Sequence, residues 1–330
     1  MYDKNFPLDE EIRSNLGGNF GDIVLTFEHP LNYHLLPSGK FKIGFLVYEF
    51  TRLPDCWVKN INEHLNLVFV PSRFTYEVFL ISGVRREKVK ILRYGFNPSH
   101  YYPAARRNGG KVLFFCVSSA HKRESLYETL SAFGMAFSRK DSVKLLIKLS
   151  YMPQKFKKFE DARLKKINEL TGADFPETQI ISDRLSEREM GDLYRRSDFY
   201  FSLCGAESFG LPFLEAIACG RPVISVNYGG QKDFLTDNNA FFVKYKIAET
   251  AGHEYEKTDC RQSFAYADLA RAAEILRAVK EERQIKNPVL KPSFEYFHWR
   301  AIAADFLKIL SRRGTRCLRN TKQGSYKMLY

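Results

Sequence analysis

Residues 199–230 read FYFSLCGAESFGLPFLEAIACGRPVISVNYGG. Two apolar runs, FYFSL at 199–203 and PVISVN at 222–227, have the length and the aromatic or β-branched content of buried strands. Between them the loop CGAESFGL leads into PFLEAIAC. There Pro212 suits the first helical turn and Gly220 suits the cap beyond the last. After the second strand come Gly229 and Gly230, then QKDFLT, a further helical start. Strand, loop, helix, strand and loop in this order form the unit of a parallel sheet wrapped by helices. Glu207 then lies in the loop at a strand's carboxyl end, and Glu215 lies one turn into the helix. Both can face a cleft, because ligands of such sheets bind outside the carboxyl ends of the strands. Gly210 lets the backbone pass close to a ligand, the N–H groups at the helix start can hold an anion, and Gly229 and Gly230 offer a second anion cradle.

A nucleotide diphosphate sugar satisfies all of these features. Backbone amides would hold the phosphates, one carboxylate can accept from two vicinal ribose hydroxyls, and a second can bond the sugar. The alternative for each glutamate alone is structural: Glu207 as a helix cap and Glu215 as a solvated helix residue.

The same rhythm extends outward. DIVLTF (22–27), KIGFLVYEF (42–50), LVFVPS (67–72) and VKILRYG (89–95) read as strands apolar on both faces, as in a covered parallel sheet. FNPSHYYPAARRNGG (96–110) reads as a linker. Alternation restarts with KVLFFCV (111–117), helical SLYETLSAFGMAF, VKLLIKL (143–149), TQIIS (178–182) and helical SEREMGDLYRRS, and closes with FFVKY (241–245). The expected fold is α/β with two Rossmann-like doubly wound domains, over residues 1–105 and 106–290. Residues 291–330 hold an amphipathic helix, FHWRAIAADFLKIL, and a basic tail.

The 330 residues carry a net charge of +13, and 45% of them are hydrophobic, enough for two cores. After Asp305 there is no acidic residue but seven basic ones, and a second basic stretch runs from Arg139 to Lys166. Such charge suits phosphate-rich partners, including an anionic membrane surface, or else a solvated face. No nucleic-acid partner is expected, because the tail lacks interleaved aromatics apart from two tyrosines and no such motif occurs. The six cysteines lie at least fifteen residues apart, without a CxxC or Cys/His cluster, which argues against zinc and a disulfide framework and for a reduced cytoplasmic setting. No apolar run reaches the length of a membrane span.

ESFGLPFLE, followed by AIACGRPVI and the double glycine, resembles the donor-site signature of the retaining glycosyltransferases of family four, which have the two-domain GT-B fold. LYRRSDFYFSLC and NYGGQKDFL on either side match too, as do VPSRFTYEVFLISGV and VKILRYGFNPSHYYP. The resemblance spans roughly residues 42–235. It implies a hexose transferred from a nucleotide diphosphate sugar to a glycan or lipid-linked acceptor, with no further cofactor. Glu215 would bind the donor ribose and Glu207 the transferred sugar. Ser208, Phe209, Gly210 and Leu211 would offer amides, with Gly229 and Gly230 also on the donor. Arg123 of HKRES would neutralise the leaving diphosphate, with Lys122 as its companion, because Glu124 stands where the family has lysine. No D-x-D occurs, so no metal is expected. In the first domain YEFTRLPDCW is similar to an acceptor-side segment, which points to Glu49 and Arg52. His29 of FEHP, or less directly His34, stands where a histidine near the donor sugar is common. The opening β-α units of the family are not visible, so a shortened first domain is expected. The runner-up is a nucleotide-sugar-binding remnant or partner subunit without turnover.

Overall fold

A computed structural model describes residues 23–105, 110–151, 157–249, 262–281 and 292–312. Two parallel sheets organise the chain. The first has the order β1-β2-β3-β4, from Ile23–Thr26, Phe41–Phe45, Leu67–Val70 and Val89–Ile91. Helices α1 (Asp55–His64) and α2 (Arg73–Ile81) connect its later strands. Every side chain of β3 is buried, as a covered central strand requires. On one face Trp57, Ile61, Val78 and Phe79 of the helices pack against Val68 and Val70. Among the described residues β1 is the outer strand, and Leu25 and Phe27 at its end are exposed.

The second sheet has six parallel strands in the order β10-β9-β8-β5-β6-β7. These are β5 (Val112–Ser118), β6 (Val143–Leu149), β7 (Glu177–Ile181), β8 (Phe199–Phe201), β9 (Val223–Val226) and β10 (Ala240–Val243). Helices α3 (Leu126–Ala136), α4 (Lys157–Leu170), α5 (Glu187–Arg196) and α6 (Leu211–Ala218) form the crossovers. The start of α5 follows from its sequence: Ser186 and Glu189 close a reciprocal capping box. The chain runs outward through β5, β6 and β7, then returns to place β8 on the other side of β5. That reversal makes a topological switch point between β5 and β8, where a crevice opens at the carboxyl ends of the strands.

FFVKY does not form one strand. It divides between β10 and β11 (Tyr245–Glu249), which leaves the main sheet and pairs antiparallel with β12 (Ser263–Ala267). Helix α7 (Leu269–Glu281) follows and packs on α3. The last described helix, α8 (Trp299–Arg312), crosses back to the first sheet. Its Ile302, Phe306, Ile309 and Leu310 recur at helical spacing. Phe306 meets Phe45 and Phe69 at ring separations of 5.9 and 5.6 Å, and Leu310 joins Ile43 and Leu67. The amphipathic pattern of this helix therefore serves the first sheet's second face. The basic tail beyond Arg312 and the cysteines at 260 and 317 lie outside the described residues. Cys56, Cys116, Cys204 and Cys219 are free thiols.

Candidate functional site

Three loops meet at the switch point. Strand β8 stops at Phe201, and the chain turns through 202–210 before α6 begins. Gly210 has φ +93°, which a side chain would strain, and its N–H donates to Glu207 Oε1 at 3.2 Å. This bond is the capping role that the sequence left open for Glu207. The loop after β5 holds the same segment from the other side: Gly205 N–H donates to Arg123 O at 2.9 Å, and Arg123 Nη1 to Ala206 O at 3.3 Å. Behind it, Ala265 N–H of β12 donates to Gly205 O at 2.8 Å.

Gly229 and Gly230, expected to form a second anion cradle, form the floor of this loop instead. Gly230 N–H donates to Glu207 O at 2.7 Å. A Cβ at Gly230 would lie 2.0 Å from Ser208 O, and one at Gly229 would lie 2.8 Å from Glu207 O. The double glycine lets two backbones touch.

The first sheet closes the crevice. Tyr48 N–H donates to Ser208 Oγ at 3.2 Å, and the Thr75 hydroxyl lies 3.1 Å from the same atom. Arg93 Nε reaches Asp233 at 3.2 Å across the same seam. Between the sheets a cavity of about 280 Å³ is lined by Glu49, Arg123, Glu124, Glu207, Tyr94, Cys204 and residues 208–213, with Ser118, Ser119 and Ser150 at its side.

Of the residues singled out from sequence, the structure brings Glu49, Arg123, Glu207, Ser208, Phe209, Gly210 and Leu211 to this cavity. It does not bring the others to its lining. His29 Nδ1 accepts from Leu31 N–H, and its ring meets Trp57 edge-on at 4.6 Å, so it caps a turn after β1. The ring of His34, its weaker substitute, contacts Leu31 O within the same turn. Arg52 points outward toward Asp55 at 3.5 Å. Lys122 is exposed on the turn before α3. Glu215 lies beneath the loop on α6, where Tyr194 Oη donates to its Oε2 at 2.8 Å.

Among the described residues lining the cavity, Arg123 stands amid three carboxyl groups. Arg123 lies 3.6 Å from Glu49, 3.8 Å from Glu124 and 3.9 Å from Glu207. Burial opposes the charge on Arg123, but Glu49 and Glu207 outweigh it and hold the guanidinium well above its ordinary range. Burial pushes the Glu207 carboxyl up to about 7 against the pull of Arg123, and Glu49 adds to the rise. Burial also pushes Glu215 up to about 7, opposed by the Tyr194 and Tyr101 hydroxyls. Burial raises the Cys204 thiol well above its usual value, so it stays protonated and is a poor nucleophile.

Sequence reasoning missed Tyr94, Glu124 and the serine pair at the end of β5 as cavity residues. The signal for Ser118 and Ser119 was present, since FFCVSSA places them at the carboxyl end of a strand beside a helix. Tyr94 carried no local signal. It reaches the site by packing edge-on against Phe209 at 5.5 Å.

Two Rossmann-like units with a cleft at the switch point define the GT-B class. Residues 104–255 match the model of Glycosyl transferases group 1. The chain is 44% identical over 55 residues to a phosphatidyl-myo-inositol mannosyltransferase of Propionibacterium freudenreichii subsp. shermanii, covering 16% of this chain and 14% of that protein. It is 22% identical over 233 residues to a probable sucrose-phosphate synthase of Thermosipho melanesiensis, covering 69% of this chain and 48% of the synthase. Both matches span less than half of the relative's own length. The crystal structure of Anabaena Alr3699/HepE in complex with UDP and glucose superposes with a TM-score of 0.63 at 15% identity, over 83% of this chain and 72% of that one. Together these matches make residues 104–255 similar to group 1 glycosyl transferases, and the chain shares the GT-B fold of its structural neighbour. Among the described residues no helix is long and apolar enough to cross a membrane.

Proposed function

We propose that this chain transfers a hexose from a nucleotide diphosphate sugar to a glycan or lipid-linked acceptor and retains the anomeric configuration. The observation that carries this is the meeting of Glu49, Arg123 and Glu207, from both sheets, at the amino end of α6 and the carboxyl ends of β5 and β8. The helix N-terminus and Arg123 would face the diphosphate, with no step assigned to a metal ion. Glu207 would bond the sugar. Glu215, oriented by Tyr194, would take the ribose hydroxyls. In the step itself the bond from the anomeric carbon to the diphosphate breaks, and the acceptor oxygen bonds the same face of that carbon. The acceptor's proton leaves with the departing phosphate oxygen. Charge grows on the diphosphate as this happens, and Arg123 lowers the energy of that charge. NMR of the product gives the test of retention: the new linkage keeps the donor's anomeric configuration, and an inverted linkage would contradict it.

One observation favours a second reading, a remnant or partner subunit without turnover. Three carboxyl residues and one cation line the cavity among the described residues, a balance poorly matched to a diphosphate leaving group.

A further inference from the structure

The turn between β5 and α3 carries a carboxylate at the carboxyl end of a strand, where ligands of such sheets bind. Glu124 Oε2 accepts from Ser118 Oγ at 2.6 Å and from the Ser119 backbone N–H. Ser118 Oγ in turn accepts from Ala120 N–H at 2.9 Å. Glu124 Oε1 lies 3.8 Å from Arg123 Nη2. One side chain thus engages a hydroxyl and an amide at the strand's carboxyl end and stands beside the cavity's cation.

The backbone is bent around this contact. Ala120 and Ser125, with φ of +62° and +51°, are the non-glycine residues with positive φ among the described residues, and they bracket the turn that presents Glu124. Such conformations are costly for residues with a Cβ and persist where the surroundings over-determine them. The bonds from Glu124 to Ser118 and Ser119 are the part of those surroundings that faces the cleft.

We propose that Glu124 is a built-in anion that fills the donor cradle at the carboxyl end of β5 and competes with a ligand's phosphates for Arg123. It thereby sets how much negative charge the cleft accepts. The proposal rests on the cleft being a nucleoside diphosphate site. A diphosphate entering it must displace the Glu124 carboxylate from Ser119 or lie beside it, and like charges a few ångströms apart repel strongly where water is scarce. Glu124 acts here as a specificity determinant, since it disfavours phosphate and leaves the neutral sugar untouched.

The test is calorimetric titration of the full chain, wild type, Glu124→Gln and Glu124→Ala, with inorganic pyrophosphate and separately with UDP, GDP and ADP. The Gln variant keeps an acceptor for Ser118 and Ser119 and so guards against a collapse of the turn. Pyrophosphate binding is expected to tighten about tenfold or more in both variants. Unchanged or weaker binding in both, or no binding to any of the three proteins, overturns the proposal. In wild type the Ser119 amide NMR signal should also move as pyrophosphate saturates; a signal that stays put under saturation overturns it as well. Tighter pyrophosphate binding with no nucleoside diphosphate bound by any protein would uphold the role of Glu124 and defeat the nucleotide reading. A nucleoside diphosphate bound equally by all three would do the reverse.

Discussion

Glu207→Gln is expected to lower turnover by about a hundredfold or more while making the protein more stable at pH 8. The two effects share one cause. Glu207 lies on the cavity wall 3.9 Å from Arg123, and its Oε1 accepts the Gly210 N–H at the start of α6. A glutamine keeps that bond and the shape of the loop, and removes only the charge. The expected loss of turnover is therefore the loss of a charged acceptor for the sugar. The gain in stability follows from linkage. Burial raises the Glu207 carboxyl from its ordinary 4.5 to about 7 in the folded chain. As pH rises, the unfolded chain gives up this proton first, so the contribution to stability is full below about 4.5 and is gone once pH passes about 7. Glutamine does not titrate, so the variant avoids that loss. It should melt like wild type at pH 4 and gain roughly 1–3 kcal/mol at pH 8. Thermal melts at both pH values and a turnover assay decide the matter. A variant that keeps the wild-type rate would remove Glu207 from the reaction. A variant that is inactive but less stable at pH 8 would make the carboxylate structural.

Gly230→Ala is expected to cost about 3 kcal/mol or more and to abolish donor binding. The position is not conformationally special, because Gly230 is absent from the glycines with positive φ. The constraint is space. An added Cβ would meet Ser208 O at 2.0 Å, Ser208 C at 2.4 Å and Phe209 Cα at 2.6 Å. All three are backbone atoms, so no side chain can rotate away, and the 207–209 loop itself must shift. That loop carries the amides and the carboxylate of the site, and a displacement near 1 Å can cost about a hundredfold in rate. Gly172→Ala is the matched control, since nothing lies within 4 Å of its Cβ position. It should change stability by no more than about 0.5 kcal/mol. Melting curves and nucleotide titrations of both variants give the comparison, and a Gly230→Ala protein that melts and binds like wild type would show the loop to be more tolerant than its packing implies.

Much of the architecture was legible because its signals are local. VKLLIKL is β6 with the same limits, since a buried central strand is a continuous apolar run. Pro212 and Gly220 bracketed α6 because each marks a helix end through its own backbone. The division of FFVKY was not legible, because β11 pairs with residues 263–267, whose register no local pattern reveals. The destination of α8 was equally hidden: its spacing showed an apolar face but not which sheet would receive it.

At the site, Glu207 and Arg123 could be read because strand ends and motifs point at a switch point. Glu124 was noticed only as a departure from a family pattern. Its role depends on a turn that folds it back onto Ser118, which spacing alone does not show. The double glycine misled for a related reason. Glycine signals a close approach of backbone to something, and here that something is the 207–209 loop rather than a ligand.

The cleft is expected to be a working nucleotide-sugar site. The most direct test is release of nucleoside diphosphate from a panel of UDP-, GDP- and ADP-sugars by the purified chain, with Glu215→Ala alongside. Turnover of one donor by wild type and its loss in the variant are the results expected from the proposed role of Glu215. No turnover and no binding of any donor would contradict a working site, and identical turnover by the variant would remove Glu215 from it.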